Sequence, residues 1–102
     1  MSETYGMHVE FTAQPGRGDE LEALLLEAAE GTAAVEDCLL YVVSRSMERA
    51  DVVTVTEGWR SEAAHGKSLK DPEVRALIER AMQLMAAPPK ASRLRPVGGK
   101  GL

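Results

Sequence analysis

The sequence predicts an α+β fold in which one face of an antiparallel sheet is covered by helices. Segments with the period of a strand alternate along the chain with segments that have the period of an amphipathic helix. The chain has 102 residues, of which 44% are hydrophobic and 27% charged, and this suits one globular domain. We therefore expect a single domain over residues 1–102, with its core at 5–97 and a flexible tail at 98–102.

The first half of the chain predicts a strand, a helix and a second strand. Large apolar side chains alternate with polar or small ones from Tyr5 to Ala13, which is the period of a strand. Turn residues follow, and then apolar positions spaced i, i+3, i+4 and i+7 from Leu21 predict a helix that stops at Gly31. The segment Cys38 to Arg45 is rich in β-branched and aromatic residues and predicts the second strand.

The second half predicts a third strand, two helical segments and a last strand. Residues 52–60 form the third strand, which pairs with the second as a hairpin. Ser61 is expected to cap a short helix, and Asp71, followed by proline, caps a longer helix that ends near Ala87 before two further prolines. Residues 91–97 are bounded by two glycines and predict the fourth strand.

This order, βαββαβ, is that of a ferredoxin-like fold with both helical segments on one face of the sheet. In the second strand, however, Leu40 and Val42 alternate with Tyr41 and Val43, so apolar side chains point to both faces. Leaving such a face in water would forgo several kcal/mol of hydrophobic stabilisation. Pairing with a second copy of the chain covers it, and we therefore predict a homodimer.

Charge and composition exclude several classes of function. The net charge of −4 does not favour nucleic-acid binding, and the three cations Arg93, Arg95 and Lys100 are typical of a solvated strand edge. A single cysteine, Cys38, excludes an intrachain disulfide and disfavours a zinc site. No apolar run approaches the roughly 20 residues that span a membrane, and we expect no leader sequence. We expect a cytoplasmic protein without a nucleic-acid, membrane or metal partner.

The segment from Glu57 to His65, EGWRSEAAH, carries a family resemblance. Its Glu-x-Trp-x-Ser-x-x-Ala spacing, at the end of a strand and the start of a helix, resembles the antibiotic biosynthesis monooxygenase family. The Gln-Pro-Gly turn, the Cys-Leu-Leu-Tyr strand and the Asp-Pro junction agree with the same family, so the resemblance covers residues 5–97. It implies a dimeric α+β barrel.

The resemblance also implies oxygenation of a small aromatic substrate, of the quinol or anthrone type, without metal, flavin or haem. A deprotonated phenol-type substrate can itself donate an electron to oxygen, so the protein needs an apolar pocket, a base and hydrogen bonds to the developing anion. Quinol-monooxygenase-like members carry two histidines where this chain has Ser68 and Glu73. Haem-degrading relatives use an asparagine on the first strand, and this chain contains no asparagine.

Three residues are predicted to be catalytic. Trp59 lies where the family lines its pocket and would stack on an aromatic substrate, or it serves only as core packing. Tyr41 would direct its hydroxyl into the same cavity, with burial in the core as the alternative. His65 is the candidate base at neutral pH, and its alternative is a solvated position on a polar helix.

Three more residues are predicted to bind substrate. His8 alternates with the apolar positions of the first strand and is expected to face the dimer interior. Glu57 shares a strand face with Trp59, where a buried carboxylate acts as a base or holds a structural hydrogen bond. Ser68 stands at one of the two expected histidine positions.

The leading prediction is thus a cofactor-independent monooxygenase that acts on a small aromatic substrate. Two alternatives remain open. A ligand-binding barrel without catalysis is favoured by Ser68 and Glu73 at the histidine positions. An isomerase or decarboxylase on the same fold would need a base and an oxyanion donor but no oxygen.

Overall fold

A computed structural model describes residues 4–101 of the chain. Its elements, in order, are β1 (Tyr5–Thr12), α1 (Gly18–Thr32), β2 (Cys38–Arg45), β3 (Val52–Trp59), α2 (Glu62–Ser68), α3 (Pro72–Leu84) and β4 (Lys90–Leu94). Residues 1–3 of the predicted domain and Leu102 of the predicted tail lie outside the described residues.

The strands form one antiparallel sheet in the order β2-β3-β1-β4, which confirms the α+β, ferredoxin-like prediction. The predicted hairpin of β2 and β3 is present. The register of β3 determines which side chains lie together near its end. Trp59 lies opposite Tyr5 of β1, and Glu57 lies opposite Met7 of β1 and Tyr41 of β2. Side chains of these five residues therefore point to the same side of the sheet.

The main core lies between this side of the sheet and the helices α1 and α3. The predicted stripe of α1 is buried, and Leu21, Val53 and Val55 are almost fully enclosed. The buried cluster consists of Ala13, Leu21, Leu24, Leu25, Val53, Val55 and Ala81. Each fully buried aliphatic side chain of this kind contributes about 1.5–3 kcal/mol relative to exposure, so this cluster is the principal source of stability.

Local capping explains where α2 and α3 begin. The Ser61 hydroxyl accepts a hydrogen bond from the backbone N–H of Ala64 at 3.1 Å, and Asp71 accepts one from Glu73 at 2.8 Å. Both predicted caps are confirmed, and each removes an otherwise unpaired donor from the first helical turn.

Two predicted helix ends were wrong. α1 runs through Gly31 to Thr32, whose hydroxyl donates to the carbonyl oxygen of Ala29 at 2.7 Å, so no left-handed glycine is required there. α3 ends at Leu84 rather than Ala87, because the next residues leave the helix to pair with the end of β1. The backbone N–H of Ala86 donates to the Thr12 carbonyl at 2.9 Å in that pairing.

The loop between β2 and β3 is tied to the start of α1. The two carboxylate oxygens of Asp51 accept hydrogen bonds from the backbone N–H groups of Gly16 and Gly18, both at 3.1 Å. Arg45 bonds to Asp19 at 3.0 Å and to Glu22 at 3.1 Å. A Cβ on Gly18 would lie 2.5 Å from the Arg45 guanidinium and 2.8 Å from the Asp51 carboxylate, so the close approach of these groups requires glycine.

The face of the sheet that points away from the helices is divided in character. Leu40, Val42 and Leu94 occupy one end, and Val42 and Leu94 are 44% and 47% exposed. At the other end Glu10 forms an ion pair with Arg49 at 2.7 Å. The predicted apolar second face therefore exists over only part of the sheet. Among residues 4–101, no helix combines the length and the hydropathy that a membrane crossing requires.

Candidate active site

The rings of Trp59, His65 and Tyr5 lie together on the helix-facing side of the sheet, where β3 ends, and are called the ring row below. The rings of Trp59 and His65 meet edge to face, with centroids 5.5 Å apart and planes at 64°. The ring of Tyr5, which is the strand neighbour of Trp59, also lies against the His65 ring, with centroids 5.4 Å apart. Trp59 is 3% exposed and the His65 side chain is 13% exposed, so the imidazole is held in a largely apolar environment.

Local structure explains how His65 reaches this position. The Ser61 cap fixes the first turn of α2, and His65 follows one turn later, with its backbone N–H donating to the Ser61 carbonyl at 3.3 Å. Residues four apart lie on the same side of a helix. The imidazole is therefore placed over the end of β3 by a capping residue that is separated from the strand only by Arg60.

Glu57 joins the tryptophan to the histidine. Its Oε1 accepts a hydrogen bond from the Trp59 indole N–H at 2.9 Å and lies 3.7 Å from Nε2 of His65. The Glu57 side chain is only 11% exposed. The longer distance exceeds that of a hydrogen bond but is close enough for the carboxylate to stabilise a positive charge on the imidazole.

Tyr41 is a neutral hydroxyl beside this carboxylate. It lies opposite Glu57 across the β2–β3 pair and packs against the hydrophobic core. Burial, and then the nearby Glu57 carboxylate and Cys38, raise the pKa of the Tyr41 phenol well above its usual range. Burial likewise raises the pKa of the Cys38 thiol, whose Sγ donates to the Leu40 carbonyl at 3.6 Å. Both groups therefore stay protonated at neutral pH.

A pair of charged side chains lies at the outer end of the ring row. The Arg93 guanidinium is 6.0 Å from the centroid of the Tyr5 ring and forms an ion pair with Glu62 at 2.8 Å. Sequence reasoning did not select these three residues for the site. The strand register is what brings Tyr5 and Arg93 to the site. Tyr5 lies opposite Trp59, and Arg93 lies opposite Met7 on the same side of the sheet.

The predicted site residues fall into two groups. Trp59, His65, Glu57 and Tyr41 are brought together, whereas His8 lies on the other face of the sheet, exposed, with Nδ1 3.2 Å from the Thr56 hydroxyl. Ser68 is on α2, but its hydroxyl donates to the His65 carbonyl oxygen at 2.6 Å. The roles given to these residues stay predictions. Residues 4–101 contain no cluster of three or more His, Cys, Asp or Glu side chains placed to hold a metal ion.

Comparison with known proteins places these features in a family. A family model described as "Antibiotic biosynthesis monooxygenase" matches residues 4–80. A candidate antibiotic biosynthesis monooxygenase from Chloroflexus aurantiacus is 36% identical, with a TM-score of 0.84 over 96% of this chain and 97% of the other. No match was found among curated proteins.

Two further solved structures share the fold. A candidate antibiotic biosynthesis monooxygenase from Caulobacter crescentus is 26% identical, with a TM-score of 0.86 over 95% of this chain and 92% of the other. A variant of SnoaB, a cofactor-independent oxygenase from Streptomyces nogalater, is 13% identical, with a TM-score of 0.84 over 97% and 98%. Because the family model matches most of the chain and the Chloroflexus protein aligns over nearly all of it, the chain belongs to the antibiotic biosynthesis monooxygenase family.

Proposed function

We propose that the protein is a cofactor-independent monooxygenase that oxidises a small aromatic substrate of the quinol or anthrone type. The observation that carries this proposal is the largely buried imidazole of His65, which contacts two aromatic rings and lies 3.7 Å from a carboxylate. Family membership and the fold shared with SnoaB, a cofactor-independent oxygenase, support the same choice.

The reaction begins with proton transfer from the substrate to His65. Imidazole suits this step because it exchanges protons near neutral pH. The resulting substrate anion passes one electron to dioxygen, and the substrate radical and superoxide combine into a peroxide that takes up a proton. Loss of water then leaves a new carbonyl group. For an anthrone, a CH2 group and one O2 give one C=O and one H2O, so atoms and electrons balance without an added reductant.

The neighbours of His65 have separate tasks in this scheme. Glu57 lies 3.7 Å from Nε2 and stabilises the imidazolium that forms when the proton arrives. Trp59 holds that carboxylate through its indole N–H and offers an apolar wall to the substrate ring. The neutral hydroxyl of Tyr41 is a hydrogen-bond donor for the developing oxyanion.

Oxygen uptake by the chelator-treated protein tests this function, with anthrone and naphthohydroquinone as probes. The wild-type protein is expected to accelerate uptake above the uncatalysed rate, and His65→Gln to lower the acceleration about 100-fold, because a positioned base typically contributes 10²–10⁴. The chain has one other histidine, so His8→Gln is the matched comparison. A larger loss in His8→Gln than in His65→Gln would place the base on the opposite face of the sheet.

Two other functions make different predictions in this assay. A binding protein without catalysis would bind the probes and leave oxygen uptake at the uncatalysed rate. Ser68 favours this alternative, because its hydroxyl is bonded within α2 rather than turned to the ring row. An isomerase or decarboxylase would give the same product with and without oxygen. The monooxygenase proposal fails if either pattern is observed for every probe.

We further propose that the protein works as a homodimer, through the apolar end of the second sheet face. Val42 and Leu94 are nearly half exposed there, with Leu40 in the same region. Covering this patch would recover part of the hydrophobic stabilisation that a small domain lacks. Sedimentation equilibrium at micromolar concentration is expected to show a dimer, and a monomer under those conditions would contradict this proposal.

A further inference from the structure

The inner end of the ring row has a carboxylate, and the outer end has a guanidinium that is paired with the exposed Glu62. At the inner end the Glu57 carboxylate is 11% exposed, beside His65 and Trp59. At the outer end the Arg93 guanidinium lies over Tyr5 and is 68% exposed. We propose that Arg93 binds an anionic group of the substrate, so that the substrate class is an aromatic carboxylate or a similar ring anion. This inference rests on the proposed function, because it assumes that the substrate ring lies beside His65.

Arg93 can accept a new partner at little cost. Its charged partner, Glu62, is 65% exposed, and ion pairs between exposed side chains contribute only about 0–1 kcal/mol. A substrate carboxylate can take the place of Glu62 without leaving a buried charge unpaired. The planar guanidinium also matches a carboxylate with two parallel hydrogen bonds, which an ammonium group cannot provide.

The opposite charges also orient the ring. A negative group on the substrate is repelled by Glu57 at the inner end and attracted by Arg93 at the rim. The ring then lies with its anionic edge toward solvent and its acidic C–H or O–H group toward His65. Tyr5 lies between the rim and the imidazole, where its ring offers an aromatic surface for the substrate.

Calorimetric titration with two matched probes tests this assignment without any need for turnover. The probes are α-naphthol and a hydroxynaphthoate that has the same ring system and hydroxyl, with a carboxylate on the ring that does not carry the hydroxyl. Wild-type protein is expected to bind hydroxynaphthoate about tenfold more tightly, the size of effect typical of a charge-assisted hydrogen bond. Arg93→Gln should remove most of this preference and leave the Kd for α-naphthol within about twofold.

Two further variants separate a specific contact from a general field. Glu62→Gln frees Arg93 from its partner and should tighten hydroxynaphthoate binding severalfold. Arg95→Gln removes the same charge two residues further along the chain and should leave the preference intact. Arg93→Lys keeps the charge but loses the paired N–H donors of the guanidinium, and it is expected to keep only part of the preference for hydroxynaphthoate. Circular dichroism of each variant checks that the fold is retained.

The inference is wrong if wild-type protein does not distinguish the probes, if Arg93→Gln weakens both equally, or if Arg93→Gln and Arg95→Gln act alike. Its failure differs from that of the proposed function. Oxygen uptake with neutral anthrone and no preference for hydroxynaphthoate would overturn this inference alone. A preference that depends on Arg93, without oxygen uptake from any probe, would support the binding assignment and overturn the monooxygenase.

Discussion

The two ends of β3 place a carboxylate near the helices in different ways. Asp51 lies just before the strand, and its two carboxylate oxygens accept hydrogen bonds from the backbone N–H groups of Gly16, in the turn before α1, and Gly18, the first residue of α1. Glu57, near the other end, has one oxygen that accepts from Trp59 and faces the His65 imidazole at 3.7 Å, beyond hydrogen-bond distance. The first carboxylate is committed to the fold. The second accepts one hydrogen bond and lies beside an imidazole ring.

Under the proposed function, this difference separates a structural from a functional use of a carboxylate. The hydrogen bonds of Asp51 with the backbone N–H groups of Gly16 and Gly18 join the β2–β3 loop to the start of α1 and add to stability. The contact between Glu57 and His65 becomes a strong ion pair only when the imidazole is charged. In the proposed mechanism, this favourable interaction forms only after His65 has taken up the substrate proton.

The largest expected effect on stability is at the Asp51 end. Gly18→Ala should lower the free energy of unfolding by about 1–3 kcal/mol, since its Cβ would lie 2.8 Å from a carboxylate that two amides hold in place. Gly31→Ala is the matched control in the same helix. A Cβ there meets no atom within 4 Å, and this variant should gain about 0.5–1 kcal/mol from helix propensity.

Urea unfolding of both variants provides the measurement. If Gly18→Ala lowers the free energy of unfolding and Gly31→Ala raises it, then steric contact at the start of α1, rather than helix propensity, decides the effect at Gly18. A stabilised Gly18→Ala variant would mean that Arg45 and Asp51 move aside freely, which would contradict the requirement for glycine at this position.

An isosteric pair of substitutions compares the two carboxylates directly. Asp51→Asn should lower the free energy of unfolding by about 1–2 kcal/mol, because the amide offers one acceptor where two donors must be satisfied. Glu57→Gln keeps an acceptor for the Trp59 indole and should change stability by less than about 0.5 kcal/mol. It should nevertheless reduce oxygen uptake about tenfold, because the imidazolium loses its carboxylate.

Urea unfolding and oxygen uptake, measured on the same two preparations, test this pair. The comparison holds if stability and activity respond at opposite ends of the strand. Equal destabilisation by the two variants would mean that Glu57 is a structural hydrogen-bond partner and no more, which was the alternative that the sequence left open.

The sequence was sufficient for the features of the fold that depend on local chemistry. The Ser61 and Asp71 caps, the β2–β3 hairpin and the apolar stripe of α1 all follow from side chains within a few residues of each other. The end of α3 did not follow, because Met85 leaves the helix to bridge Ala13, more than seventy positions earlier in the chain. Such pairing is tertiary and has no local signal.

The same distinction applies to the candidate site. Trp59, Glu57 and His65 belong to one short segment, so the sequence selected them together. Tyr5 and Arg93 come from the two ends of the chain and reach the ring row only through the register of β1 with β3 and β4. His8 was predicted to bind substrate together with Glu57. Alternation along β1 places His8 on the other face of the sheet, away from Glu57.

The smallest expected effect concerns the pH dependence of stability at the Glu57 end. Burial, with a further contribution from Glu57, raises the pKa of Tyr41 above the value of about 10 in an unfolded chain. The folded protein therefore keeps this proton where the unfolded chain releases it. The stability that this provides is fully present below pH of about 10 and is lost as the pH rises above that value, with a slope of at most about 1.4 kcal/mol per pH unit.

Urea unfolding between pH 8 and 11 would show this slope in the wild-type protein and a flatter curve in Tyr41→Phe, which has no phenol to ionise. Lysines that titrate in the same range are common to both proteins and cancel in the difference. Glu57→Gln should retain most of the slope, because burial is the larger cause of the raised pKa. If Glu57→Gln loses the whole slope, then the Glu57 charge, rather than burial, is the main cause of the raised pKa of Tyr41. The Glu57 carboxylate would then act on the tyrosine of the neighbouring strand as well as on His65.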